Sequence, residues 1–295
     1  MPPHHLTDHL TWAILARAAA AEPNTVHELL REHTAQEAVD ALITGSVEHT
    51  QPRTLADLAA RDLDQAAAIG ARLITPQHPH WPLPTTTPTD PKLPVALWMR
   101  GPLHFNRRSQ LHIAITGACA ATDNGRRITA EFTKALVDRQ WHIVSRVALG
   151  IGNEALSATL AHGGTPIAVS PVGLAHTYPI DHRPLLDRIA ATGLVISQYP
   201  PDSRAPTRAK HQRCQQLLAD LGQALVIPEA GARATALHAA DRAHEHDRPI
   251  LATPGPADEP ASVACRALIA TGQATAVTSS EQLVHHLNHD PRTWS

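Results

Sequence analysis

The sequence predicts an α/β protein: a Rossmann-like, doubly wound, mostly parallel sheet preceded by a small N-terminal helical domain. Three observations carry this. From Leu111 onward short apolar segments recur, LHIAIT (111–116), HIVS (142–145), PIAVS (166–170), LVIS (194–197), ALVI (224–227) and PILAT (249–253). Helical stretches of roughly 10–20 residues fill the gaps, the alternation that builds parallel βαβ units. These segments are apolar at successive positions, as strands buried on both faces must be. Ahead of them, residues 1–66 carry apolar side chains at helical rather than strand spacing.

Each unit has its own signals. Residues 1–70 form the helical domain. Leu10, Ile14 and Leu15, then Val26, Leu29 and Leu30, then Ala38, Leu42 and Ile43 mark its helices; Pro23, Gly45 and Pro52 punctuate them, and an Ala/Leu-rich helix runs from Thr54 to Gly70. Such a domain is either a helix-hairpin module that touches DNA backbone or a plain packing unit. Residues 71–110 read as a proline-rich linker. Pro76, Pro79, Pro82, Pro84, Pro88, Pro91 and Pro94 cannot lie inside helices, and short strands such as Val95 to Trp98 interrupt the stretch. Residues 111–278 form the Rossmann-like domain. Residues 279–295 form a C-terminal helix, with Ser280 as its cap, and a tail.

Composition sets limits. Of 295 residues 43% are apolar and only 3% aromatic, so the core is built from Ala, Leu, Val and Ile. A net charge of −2 argues against coating nucleic acid through bulk charge and leaves room for a local basic patch. The 21 histidines imply rising charge between about pH 7 and pH 6. Cys119, Cys214 and Cys265 are isolated, which fits reduced thiols rather than a disulfide framework or a metal site. The N-terminus lacks the pattern of an export signal and no apolar run reaches about 18 residues, so a cytoplasmic protein without a membrane span is expected.

Right-handed crossovers gather the strands' carboxyl ends on one edge, where ligands of such sheets bind. Gly117 directly follows the first parallel strand, and Gly125, Arg126 and Arg127 open the next helix. This is either a phosphate-binding turn or simply a tight one. Gly150 and Gly152 follow the second strand and supply a second wall, with Asn153 as a candidate cap. Neither turn fits G-x-G-x-x-G and no acid is placed to hold a ribose, so no dinucleotide or other cofactor is expected. Gly173 and Tyr178 lie in a loop over the site, where Tyr178 stacks on a base or serves packing alone. Arg204, Arg208, Lys210 and Arg213 form the clearest basic cluster, with no acid from Ser203 to Ala219. It makes phosphate contacts or is a solvated loop. Glu229, Gly231, Arg233 and Thr235 follow the fifth strand and either close the pocket or make an ordinary connection. No nucleophile–base–acid constellation and no metal motif stands out, so a non-catalytic protein is expected.

The order of these segments resembles the DprA/Smf family over roughly residues 72–285. Leu93, Pro94, Leu97 and Gly101 stand where the family has P-x-x-L-x-x-x-G. The family's G-S-R turn aligns with Gly117, Ala118 and Cys119, and its S-G-x-A-x-G-I-D with Ser145, Arg146, Ala148, Gly150, Ile151 and Gly152. Gly173, Leu174, Tyr178 and Pro179 match its Gly-Leu and Tyr-Pro marks. Ser197, Gln198, Pro200 and Pro201 resemble S-E-x-P-P, and Thr253, Pro254, Gly255 and Ser262 resemble a late V-P-G run. The departures fall on polar positions. The Arg of G-S-R is Cys119, the Asp of G-I-D is Gly152, R-N-R falls on Cys214, Gln215 and Gln216, and S-G-S falls on Ala234, Thr235 and Ala236. Replacing Arg removes a bidentate anion ligand; Arg126, Arg146, Arg208, Lys210 and Arg213 are the candidates to restore the charge.

The resemblance implies binding of single-stranded DNA, RecA loading during natural transformation, and a homodimer formed through the Rossmann-like domain. About 40 residues follow Gly255, too few for the winged helix that many members carry. Two other readings stand beside it: a nucleotide-binding or nucleotide-sensing protein of the same superfamily with a degenerate site, and a scaffold that contacts only protein.

Overall fold

The computed structural model describes residues 4–44, 52–83, 90–106 and 109–294; Gly45, Pro84 and Pro88 lie outside the described residues. Four helices come first, α1 (His4–Ala21), α2 (Pro23–Glu32), α3 (Ala35–Ile43) and α4 (Pro52–Ala68). Trp12, Leu15, Val26, Leu30, Val39, Leu42 and Leu55 share one buried cluster, as the helical spacing requires. A capping box starts α3: Thr34 Oγ1 accepts from the Glu37 N–H, and the Glu37 carboxylate accepts from the Thr34 N–H. Such a cap contributes about 1 kcal/mol.

Seven parallel strands form the body of the sheet: β3 (His112–Ile115), β4 (His142–Arg146), β5 (Pro166–Val169), β6 (Leu194–Ser197), β7 (Ala224–Ile227), β8 (Ile250–Ala252) and β9 (Thr275–Ala276). The two-residue β9 carries no apolar signal and escapes sequence reading. The stretch expected as a linker also joins the sheet. β1 (Ala71–Ile74) and β2 (Leu97–Arg100) pair antiparallel, and β2 pairs antiparallel with β6. Leu73, Ile74, Leu97, Trp98 and Met99 are buried there, a gain that an extended tether lacks. The full order is β1-β2-β6-β5-β4-β3-β7-β8-β9.

Side-chain alternation explains the double winding. On β3, Ile113 and Ile115 pack with Phe132 and Leu136 of α5 (Asp123–Val137), Ala155 of α6 (Ile151–Ala161), and Leu283 of the terminal helix (Ser280–His289). Ala114, between them, packs on the opposite face with Leu217 and Leu218 of the helix that precedes β7. On β5 and β6, Ala168 and Val195 meet Ile189 of α7 (Arg183–Thr192), whereas Ile167 and Ile196 join the other side. That other side carries α8 (Arg208–Leu221), α9 (Leu237–Glu245) and α10 (Val263–Ala270). The terminal helix is α11. Its cap is Ser279, which accepts from the Gln282 N–H, one residue before the expected Ser280. Gly150, not Asn153, occupies the cap position of α6.

The chain steps from β3 through β4 and β5 to β6 in one direction, then returns to place β7 on the other side of β3. α5 and α9 leave these neighbouring strands toward opposite faces, which makes the carboxyl ends of β3 and β7 the switch-point crevice of the fold. Among the described residues no helix is long and apolar enough to cross a membrane.

At five histidines burial works against the expected rise in charge. Burial lowers the pKa of His78, His142, His182, His211 and His246, with Arg146 adding to the effect on His211 and Arg242 to that on His246. The folded values lie below the unfolded value of about 6.5, so the unfolded chain takes up protons first. Stability present above about pH 6.5 is therefore lost as the pH falls through the lowered folded values. Urea midpoints compared at about pH 7.5, 6.5 and 5.5 should drop, most steeply below 6.5. A flat profile would contradict this.

Candidate nucleic-acid interface

The turns that leave β3 and β4 touch. The Ile151 N–H donates to the Ala118 carbonyl at 3.0 Å. Gly150 has φ +68°, and a Cβ there would run into the carbonyl oxygens of Ala118 and Cys119. A Cβ on Gly152 would lie 2.6 Å from the Arg146 carbonyl, one on Gly117 would strike the Glu229 carbonyl, and one on Gly173 would overlap Pro200 and Pro201. These glycines let backbone meet backbone, and little open space is left at the turns themselves.

The helix N-terminus behind Gly117 is also filled from within. Glu229, at the end of β7 and 2% exposed, accepts from the Thr122 N–H at 2.9 Å and from Thr122 Oγ1 at 2.5 Å. Its carboxylate lies where a side chain on Gly125 would otherwise go. A carboxylate already sits against the positive end of α5, so Gly117 does not front an open phosphate cradle. Arg126 is half-exposed on α5, 3.7 Å from Asp123, and is not brought to the turns.

The charge at this edge comes from Arg146, the last residue of β4. It is 5% exposed. Its Nη1 donates to His211 Nδ1 of α8 at 2.8 Å and its Nη2 to Cys119 Sγ at 3.2 Å, while Nε is buried without a partner. Guanidinium groups only donate, so His211 Nδ1 carries its lone pair here. Burial and the Arg146 charge hold the His211 pKa below its ordinary value, which keeps the ring neutral at pH 7. Among the described residues Arg146 forms no ion pair with a carboxylate. A buried charge without a counter-ion is costly, and an incoming anion supplies one. Around it the rim is apolar and open: Tyr178 is 38% exposed with its ring 5.8 Å from that of His211, and Leu149 and Ile180 are exposed too.

The basic cluster of residues 204–213 divides. Arg204 and Arg208 are exposed. Lys210 and Arg213 line a cavity against α1 and α2, on a different side of α8 from His211. The structure thus brings together Gly117, Arg146, Gly150, Gly152 and Tyr178, with Gly173 holding the loop after β6, and sets Arg126, Lys210 and Arg213 apart. Sequence reasoning missed His211, whose only signal is its place in the K-H-Q-R run. It also missed the role of Gln215. This fully buried side chain accepts from Thr116 Oγ1 at 2.9 Å and donates to Thr235 Oγ1 at 3.3 Å, tying the end of β3 to the loop ahead of α9. Beside it Cys214 is buried, its thiol pushed up to about 12, and inert.

The model of the family described as DNA recombination-mediator protein A matches residues 72–288. The chain belongs to that family. It is 33% identical over 293 residues to the Mycobacterium tuberculosis protein called DNA processing protein DprA, covering 94% of this chain and 75% of that one. The crystal structure of Streptococcus pneumoniae DprA superposes with a TM-score of 0.67 at 24% identity, over 89% of this chain and 97% of that one. The Helicobacter pylori DprA structure, described for its single-stranded DNA binding mode, gives 0.59 at 24% identity, over 67% of this chain and 88% of that one. These likenesses establish the fold, a mixed α/β architecture with a mostly parallel, Rossmann-like sheet, and the family makes this a DNA-processing protein of the DprA/Smf type. Against the family pattern, Cys119 stands for the Arg of G-S-R and Arg146 for the Gly of S-G. In three dimensions these two exchanged side chains touch.

Proposed function

We propose that the protein binds single-stranded DNA along the carboxyl edge of its sheet, with Arg146 receiving a backbone phosphate and Tyr178, Leu149 and Ile180 offering surface to bases. One observation carries this reading: the family's missing arginine is replaced by a buried guanidinium that reaches the same turn from the neighbouring strand and lacks a carboxylate partner among the described residues. Aromatic and apolar rim groups suit unstacked bases, which duplex DNA does not present. The single-stranded DNA mode described for the H. pylori relative supports it as well. The proposal extends to RecA loading in transformation, a homodimer through the sheet domain, residence in the cytoplasm and the absence of catalysis. The nucleotide-sensing alternative at Gly117 and Gly150 has less support, because backbone and the Glu229 carboxylate fill that place.

With so few cations at the edge, salt dependence should be modest. Fluorescence anisotropy with a single-stranded and a duplex oligonucleotide, each at two salt concentrations, tests this. Preference for the single strand with a log–log slope of about −0.7 to −2, equivalent to one to three phosphates, is expected. Equal affinity for both forms would reject the reading.

A further inference from the structure

Between the helical domain and the sheet domain lies a cavity of about 330 Å³ that the DNA reading leaves unused. Gln198 and Tyr199, just past β6, form one side of it. Tyr199 is 3% exposed and its hydroxyl has no hydrogen-bond partner; Gln198 is 9% exposed and its Nε2 has none either. Each buried polar group left unpaired costs about 1–3 kcal/mol, so native proteins rarely keep two side by side without a reason.

The second side is the amino-terminal end of α8. Lys210 Nζ is held by Ser203 Oγ at 2.6 Å and the Ala205 carbonyl at 2.8 Å, and lies 4.9 Å from the centre of the Tyr199 ring. Arg213 Nη1 donates to the Pro91 carbonyl at 3.1 Å. Neutral oxygens thus position both cations; neither forms an ion pair with a carboxylate among the described residues, and no acid lines the cavity. Thr207 caps the helix by accepting from the Lys210 N–H, while helix geometry leaves the first-turn N–H groups ahead of it without intrahelical acceptors. The positive end of the helix adds to the two side-chain charges. The third side is apolar and shallow, built from small residues of α1 such as Ala16 and Ala19.

We propose that this cavity is a second ligand site, separate from the sheet edge, for a small organic phosphate. The anionic group sits at the α8 N-terminus between Lys210 and Arg213 and lays its organic body on the alanine face of α1. The volume lies at the lower end of the range of small-molecule pockets, about 300–1,000 Å³, which suits one nucleotide rather than a strand. The position matters too: a bound molecule touches both domains and so ties them together.

Calorimetric titration of the full chain with thymidine 5′-monophosphate, and with thymidine as the uncharged control, tests the site. One equivalent of the monophosphate should bind, with thymidine weaker by about tenfold or more, as charge-assisted hydrogen bonds predict. Lys210→Met combined with Arg213→Met should lower monophosphate affinity at least about tenfold, and Arg146→Met should leave it unchanged. Gln198→Glu, a near-isosteric change that adds a negative charge to the wall of the same cavity, should lower monophosphate affinity as the double variant does and decides the matter if that variant misfolds. The proposal is overturned if the monophosphate gives no binding heat, if thymidine binds as well, or if affinity survives Gln198→Glu. Loss with Arg146→Met alone would overturn it as well, by moving the molecule to the sheet edge, and only single-stranded DNA binding measured on the same variant bears on the DNA reading.

Discussion

Replacing Arg146 by methionine should weaken binding of a single-stranded oligonucleotide by about 10- to 100-fold, the worth of one or two charge-assisted hydrogen bonds. Methionine keeps most of the aliphatic volume at this 5% exposed position and removes the guanidinium with its hydrogen bonds to His211 and Cys119. The fold should not suffer. A buried guanidinium without a counter-ion is an electrostatic burden, and its replacement by an apolar side chain is expected to be neutral or stabilising. The pair of readouts is therefore diagnostic: affinity falls while the melting temperature holds or rises. A reciprocal exchange makes the case sharper. Cys119→Arg in an Arg146→Gly background returns the guanidinium to the family's turn, and because the two side chains are 3.2 Å apart here, the swap should recover much of the lost affinity. Full affinity in Arg146→Met at low and high salt would remove Arg146 from the interface.

The sheet was legible in the sequence because strands buried on both faces leave short apolar runs, and β3 to β8 all carry one. A short strand at Val95–Trp98 is legible and overlaps β2, but β1 and the pairing of both strands with the sheet are not, because four-residue strands flanked by prolines give too short a pattern to distinguish from a tether. At the site, glycines mark where backbone crowds backbone, but a sequence does not say what does the crowding. Glu229 reads in sequence as closing the pocket or as part of an ordinary connection; in the structure its carboxylate holds the helix end that one of the two readings of the Gly117 turn gives to a phosphate. The basic run failed for a geometric reason. Successive helix positions point about 100° apart, so Lys210 and Arg213 share a side while His211, between them in sequence, turns to Arg146. Linear clustering of charge says little about shared surface once the segment is helical. Arg146 was singled out in sequence; its burial, and the lack of a carboxylate partner among the described residues, needed the structure.

Arg242→Met should have the opposite signature to Arg146→Met, a large loss of stability with little direct effect on binding. Arg242 is 3% exposed, and its Nε donates to Asp220 Oδ1 of α8 at 2.8 Å. Its Nη1 lies 3.0 Å from Asp90, ahead of β2, and 3.3 Å from Glu245 of α9. One guanidinium thus joins two helices to the segment that feeds the antiparallel edge. Removing it leaves Asp220, itself 2% exposed, without its main counter-charge. Breaking one partner of such a pair costs about 3–5 kcal/mol, against a total of about 5–15 kcal/mol for a typical domain. Burial already pushes the Asp220 carboxyl up, with Arg242 foremost among the charges that pull it back. In the variant that restraint is gone, the folded pKa rises further above the unfolded value, and the deficit is greatest at neutral pH. It should shrink as the pH falls through the raised pKa, because a protonated carboxyl no longer needs the charge. Urea unfolding of parent and variant at about pH 7 and pH 5 measures both effects, and an Asp220→Leu, Arg242→Met double variant should regain most of the loss, since an apolar pair replaces a buried ion pair at little cost. A single variant within about 1 kcal/mol of the parent at neutral pH would mean that the network carries no stability of its own and that packing of α8 on α9 suffices.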